Sequence, residues 1–135
     1  MRYLIGMIFF AVTLMATEIH WYDDYNEAIE VAKKEHKLVY VFISSSHCGW
    51  CHKFEKKILQ NENVKKELKK EFVAVHLIND LDDIPQKFKT APVPRHYFTD
   101  ANKDILYDSL GYREVDTFLA FMGYAEEQSN TKGKK

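Results

Sequence analysis

Apolar residues in this chain are arranged in three ways: one long run at the start, short β-branched runs in the middle, and repeats of three and four around them. The first run, residues 3–16, is apolar except for Gly6 and Thr13. It follows Met1 and Arg2 and gives way to the polar Thr17, Glu18 and His20. A positive start, a short apolar stretch and a small residue at its end are the marks of a secretory signal peptide. The run is shorter than the ~20 residues of a spanning helix. Cleavage after Ala16 is therefore expected, with Leu14 and Ala16 before the cut, and an uncleaved N-terminal anchor is the alternative. No cysteine follows to carry a lipid.

Beyond residue 17, two periodicities alternate. Asp24 with Glu27 resembles a capping box, and Tyr25, Ala28, Ile29 and Ala32 recur at three and four, which predicts an amphipathic helix over 24–36. Residues 38–43 (Leu-Val-Tyr-Val-Phe-Ile) form a continuous β-branched and aromatic run, the pattern of a strand covered on both faces. After Ser44-Ser45-Ser46-His47, a helix is expected from Cys48 to about Gln60, then a second over 64–70 capped by Asn61 or Asn63. Residues 72–78 read as another buried strand, 80–89 as a short helix, and 95–98 and 104–107 as a hairpin across the turn at Asp100. Val115, Phe118, Leu119 and Met122 share one face of a closing helix over 114–124, and the polar 126–135 segment is expected to be a disordered tail. Helix, strand, helix, strand, helix, strand, strand, helix describes an α/β sandwich around a mixed sheet.

A length of 135 residues holds one domain, 17–125, after the signal, and 46% hydrophobic with 29% charged residues excludes a disordered chain. Lys and Arg number 19 against 20 acids, a net charge of −1. That balance lacks the basic excess that phosphate backbones require, so nucleic acid is not an expected partner. Lys65, Lys66, Lys69 and Lys70 read as the solvated side of a helix. Cys48 and Cys51 are the two cysteines of the sequence, too few for a disulfide-stapled scaffold, so any cysteine chemistry sits at one place. Export points to an oxidising compartment, and the sparse cysteines to a bacterial periplasm.

That place is Ser46-His47-Cys48-Gly49-Trp50-Cys51-His52. One helical turn brings positions three apart together, so Cys48 and Cys51 can close a small disulfide. A helix N-terminus stabilises a thiolate and can lower a cysteine pKa from about 8.5 to between roughly 3.5 and 7.5. Cys48, at the helix mouth, gains most and is the expected attacking thiolate. Cys51, one turn inside, is the expected resolving thiol. Three other readings use the same residues. A structural staple this short adds little stability. Cys48-Gly49-Trp50-Cys51-His52 also satisfies the c-type haem attachment pattern, with Met122 or His96 as distal ligand, although the buried strand before it is foreign to small helical cytochromes. A zinc site from His47, Cys48, Cys51 and His52 would crowd its ligands into six residues. His20, His36, His76 and His96 are scattered and read as surface or satisfied histidines.

These residues resemble the thioredoxin-like family, and its secreted members more than cytosolic thioredoxin. The resemblance covers residues 21–124 and rests on the 38–43 strand feeding Cys48-Gly49-Trp50-Cys51, on Val93-Pro94 before a strand, and on Gly111 before the last helix. It implies a thioredoxin fold, a three-layer α/β/α sandwich. It also implies a cis Pro94 facing the cysteines, with Val93 pairing its backbone with the substrate and Trp50 beside them, while Pro92 reads as a turn residue. His47, Gly49 and His52 are the residues expected to tune the potential. Phe42 stands where cytosolic members carry a buried aspartate. Cys51, Phe54, Glu55 and Ile58 share one helical stripe, and the secreted members also carry an acid four residues after the second cysteine. Glu55 therefore reads either as the proton acceptor for Cys51 or as a rim glutamate pairing with His52. The resemblance implies a thiol-disulfide oxidoreductase without cofactor or metal. It would act on protein disulfides with a redox partner protein, in the reducing direction, as a monomer free of the membrane once its signal is cleaved. A redox-inert binding module of the same fold is the alternative.

Overall fold

The computed structural model describes residues 18–134, so the expected signal peptide at 1–16 lies outside it. Five strands form a mixed sheet in the order β1-β3-β2-β4-β5. They are β1 (Trp21–Tyr22), β2 (Leu38–Ser44), β3 (Phe72–Ile78), β4 (Arg95–Thr99) and β5 (Ile105–Leu110). β3 runs parallel to β1 and β2, while β4 is antiparallel to both β2 and β5. The two-residue β1 has no strand-length pattern of its own, and its pairing of Trp21 with Ala74 defines it.

Side chains alternate across a strand, so β2 feeds two cores. Val39, Val41 and Ile43 face α1 (Tyr25–Glu35), together with Ala28, Ile29 and Ala32 from its inner stripe. Asp24 starts α1 by accepting the N–H groups of Asn26 and Glu27. Tyr40 and Phe42 face the opposite layer, where α2 (Gly49–Phe54), α3 (Glu62–Glu71) and α4 (Val115–Lys132) contribute Cys51, Phe54, Leu68, Phe118 and Met122. These layers form the expected three-layer α/β/α thioredoxin fold. Of the two candidate caps for α3, Asn61 takes the role by accepting from Asn63 and Val64 N–H. Between α2 and α3 the chain makes one π-helical turn, Glu55–Leu59, in place of the regular helix expected to Gln60.

Two further expectations differ from the structure. Residues 80–89 form turns and not a helix, since Asp82 spends its carboxylate on the Ile78 N–H and Pro85 pushes Ile84 away from helical dihedrals. The segment still contributes to the core through buried Phe88, which meets Tyr25 and Tyr97 edge-on and tilted. The tail beginning at 126 is helical as far as Lys132. Ala125, Glu126, Glu127 and Gln128 are good helix formers. Ala125 is fully buried, and Lys132 reaches the carboxylates of Asp104 and Asp100 beside the hairpin turn.

Candidate active site

β2 delivers the chain to its C-terminal end, where Ser45, Ser46 and His47 turn it into α2. Asp80, from the loop after β3, holds this turn: its carboxylate accepts the N–H of Ser46 at 2.9 Å and also the Ser46 hydroxyl. The hydroxyl bond, then the N–H, keep the Asp80 carboxyl below its usual range. Ser46 Oγ also meets His47 Nδ1 at 2.9 Å, which fixes the residue before Cys48.

Cys48 is the N-cap of α2, in extended conformation, and its Sγ accepts the Cys51 N–H at 3.1 Å. The two cysteines form a disulfide across a Cα–Cα distance of 5.2 Å. Their surroundings differ sharply. Cys48 is partly exposed at the helix mouth, and Cys51 is fully buried against Phe54 and the sheet. Gly49 has nothing within 4 Å of where a Cβ would lie, so this corner of the motif stands open. Trp50 projects with 59% of its surface exposed.

Beside the disulfide runs a shallow apolar groove of about 370 Å³ lined by Trp50, Val93, Pro94, Gly111 and Tyr112. The Ala91–Pro92 and Val93–Pro94 peptide bonds are both cis. Pro94 is buried, and its carbonyl accepts the N–H of Gly111 at 2.8 Å. Gly111 adopts φ +93°, a left-handed conformation that glycine takes without steric cost. The Lys53 ammonium lies 4.8 Å from the Trp50 ring and 5.0 Å from that of Tyr112, so a cation borders the apolar floor.

Behind the disulfide, Phe42 occupies the fully buried position on β2 and is flanked in register by His76 on β3 and His96 on β4. Both imidazoles stack on it, at 4.7 and 5.8 Å between ring centres. His96 has both nitrogens occupied, Nε2 by the Gly111 carbonyl at 2.9 Å and Nδ1 by the Tyr40 hydroxyl at 2.8 Å. A carbonyl can only accept, so Nε2 carries the proton and Nδ1 accepts from Tyr40. Burial pushes the His96 pKa down to about 4, and burial likewise raises that of Tyr40 well above the usual phenol range.

His76 lies nearer the surface. Its Nε2 meets Ser44 Oγ at 2.7 Å, and its Nδ1 faces Glu55 at 3.6 Å. The second Glu55 oxygen lies 3.5 Å from His52 Nδ1. Glu55 is partly exposed and divides its carboxylate between two imidazoles, one oxygen toward His52 and the other toward His76. A cavity of about 200 Å³ lined by Trp21, Phe42, Glu55, Leu59, Gln60 and His76 opens beside it.

The structure brings Cys48, Cys51, Trp50, Val93 and Pro94 together and sets Glu55 one turn behind. Sequence reasoning missed Ser44, Ser46, His76 and Asp80. The residues proposed for haem or zinc do not converge: His96 is saturated, Met122 is fully buried in the α4 core, and His47 and His52 are engaged with Ser46 and Glu55. Among the described residues no group of three or more histidine, cysteine or acidic side chains is arranged to hold a metal.

A thioredoxin-like family model matches residues 20–101, which is more than half of the chain. The chain belongs to the thioredoxin-like family. Among curated relatives, human spermatogenesis-associated protein 20 is 37% identical over 57 residues, 42% of this chain and 7% of that protein. The disulfide bond reductase DsbH of Chlamydia pneumoniae is 36% identical over 75 residues, 55% of this chain and 42% of that one. The chain therefore spans less than half the length of either. Of solved structures, a DsbH oxidoreductase superposes with a TM-score of 0.68 at 20% identity, covering 90% of this chain and 94% of its own. A thioredoxin from Thermus thermophilus gives a TM-score of 0.67 at 22% identity over 78% and 85%. At these identities the structures bear on fold alone. No helix of the described residues is long and apolar enough to cross a membrane.

Proposed function

We propose that this thioredoxin-like protein is a thiol-disulfide oxidoreductase that reduces disulfides of protein substrates in the bacterial periplasm. The observation that carries the reading is the asymmetry of the disulfide, with Cys48 accessible beside an apolar groove and Cys51 sealed one turn behind it. In the dithiol form, the Cys48 thiolate attacks one sulfur of a substrate disulfide. The substrate S–S bond breaks, a Cys48–substrate disulfide forms, and the departing sulfur leaves as a thiolate that takes up a proton. Cys51 then gives its proton to Glu55 and attacks Cys48 Sγ, releasing the second substrate thiolate and closing the Cys48–Cys51 disulfide. A redox partner protein must return two electrons to that disulfide, and the exchange consumes no cofactor.

Helix α2 supports the first step, since its unpaired N–H groups and dipole favour negative charge on Cys48. The cis Val93–Pro94 segment offers backbone to a substrate chain laid along the groove, with Trp50 as its apolar wall. His47, Gly49 and His52 surround the sulfurs and tune their potential. The reducing direction is supported by the likeness to a disulfide bond reductase, and export by the charged-then-apolar 1–16 segment. The reduction potential of the purified domain tests direction: a value near thioredoxin's, about −270 mV, fits a reductase, whereas one near −120 mV would reject it.

A further inference from the structure

Under that reading, the proton of Cys51 must leave a fully buried thiol, and Phe42 offers it no acceptor. Tyr40 and His96 form one polar pair near this layer, but they are sealed. The two rings satisfy each other and Gly111, and His96 is flanked by Phe42, Phe54 and Phe118. Proton uptake there would break a bond that is already made.

The Glu55 side differs in three respects. Its carboxylate lies on the residue whose N–H bonds the Cys51 carbonyl, so the two residues share one hydrogen-bonded turn. It faces His76 Nδ1 at 3.6 Å, a separation that a shift of under ~1 Å turns into a hydrogen bond. Finally, both groups border the 200 Å³ cavity and keep partial exposure, 33% and 24% of their side chains, so a proton held between them has a way out. Ser44 fixes the orientation of the imidazole. If its Oγ accepts the Nε2 proton, the Nδ1 lone pair is left toward Glu55.

We propose that His76 is a positioning residue for proton exchange at Cys51. Anchored by Ser44, its ring faces the Glu55 carboxylate, receives the proton that carboxylate takes from Cys51, and passes it to the adjoining cavity. The inference rests on Glu55 being the proton acceptor. The balance is closed: the Cys51 S–H bond breaks as a Glu55 O–H bond forms, that proton moves to His76 Nδ1 and restores the carboxylate, and the imidazolium then loses it to solvent in the cavity. Other charged groups bear on the pair. His52 faces Glu55 from α2, Asp82 acts on His76 from the loop after β3, and Tyr40 lies on β2 within the field of Glu55. Burial lowers the His76 pKa while Glu55 and then Asp82 oppose it, so the ring is mainly neutral near pH 7 and able to accept.

The test is a single turnover of the reduced domain with 5,5′-dithiobis(2-nitrobenzoate). Cys48 attack releases the first thionitrobenzoate and Cys51 resolution the second, followed by stopped flow from pH 5 to 9. His76→Gln and the ring-preserving His76→Phe are each expected to slow the second phase about tenfold at pH 7 and to shift its rise toward higher pH. The first phase stays within about twofold of the parent. Combining His76→Gln with Glu55→Gln should slow resolution no further than Glu55→Gln alone, because both act on one route. A parent-like second phase in both His76 variants, with Glu55→Gln slow, overturns the role of His76 and leaves that of Glu55 standing. A parent-like second phase in Glu55→Gln rejects the underlying reading as well. Equal slowing of both phases in the His76 variants would reduce His76 to a packing residue and overturn the proposal.

Discussion

The two sulfurs of the disulfide look into different solvents. In front of Cys48 lie Trp50, Val93, Pro94 and Tyr112, an apolar floor open to water and edged by the Lys53 ammonium. Behind Cys51 lies a row read across three strands, His76, Phe42 and His96, in which the central side chain cannot titrate and the outer two can. Under the proposed function, the front would receive a substrate chain and the back would handle charge. The difference shows how a sheet with an untitratable Phe42 at its centre can still carry ionisable groups on either side of it, because the neighbouring strands supply His76 and His96 in register.

The largest expected effect separates the two sulfurs. Cys48→Ser should cost at least about a thousandfold in turnover of a disulfide-bonded protein, measured as thiol release, and no adduct should accumulate. Residual activity above about a tenth of the parent's would move the attack to Cys51 and dissolve the distinction between front and back. Cys51→Ser should also lose multiple turnover but retain the first exchange, leaving about one substrate equivalent bound through Cys48 by mass spectrometry.

Next in size is a pH effect at the back. His96 titrates near 6.5 in the unfolded chain and at about 4 in the folded one. Between those values the unfolded chain binds more protons, so its stabilising contribution is present above pH 6.5 and is lost as pH falls through 4. The difference corresponds to about 3 kcal/mol, which urea unfolding at pH 7 and pH 4 should show. His96→Gln should be less stable at pH 7 but lose less on acidification. An unchanged slope in that variant would mean that another group, such as His76, sets the acid limb. The smallest effect belongs to the front: Trp50→Ala should raise KM for a protein substrate about three- to tenfold, because it removes one wall of the groove. An unchanged KM would take Trp50 out of substrate contact.

Much of this arrangement was legible in the sequence because its signals are local. The β2 and β3 runs, the Asp24 and Asn61 caps and the Cys48–Cys51 spacing each declare themselves within a few residues. What escaped depends on register between distant segments. Ser44 meets His76 across 32 positions, and Ser46 meets Asp80 across 34, so no window along the chain shows them together. The stripe containing Glu55 was visible, but a stripe does not say how deep its edge lies, and Glu55 came to rest between solvent and sheet. Residues 80–89 misled because polar composition with scattered apolar residues suits either a helix or a pinned loop, and Pro85 with the Asp82 cap decides for the loop. The 126–132 stretch misled in the opposite sense, since its polarity concealed a helix docked by Ala125 and Lys132.

The π-helical turn at Glu55–Leu59 has a consequence for how freely the two halves of that helix can change. A regular α-helix keeps every later side chain in fixed phase with Cys51, so a demand at Glu55 would dictate where Ile58 and Leu59 point. The wider turn resets that phase: Ile58 and Leu59 both enter the core, at 2% and 3% exposure, while Glu55 keeps its place at the rim. The turn works as one residue of slack, uncoupling the segment that carries Glu55 at the rim from the segment that fastens the helix to the sheet.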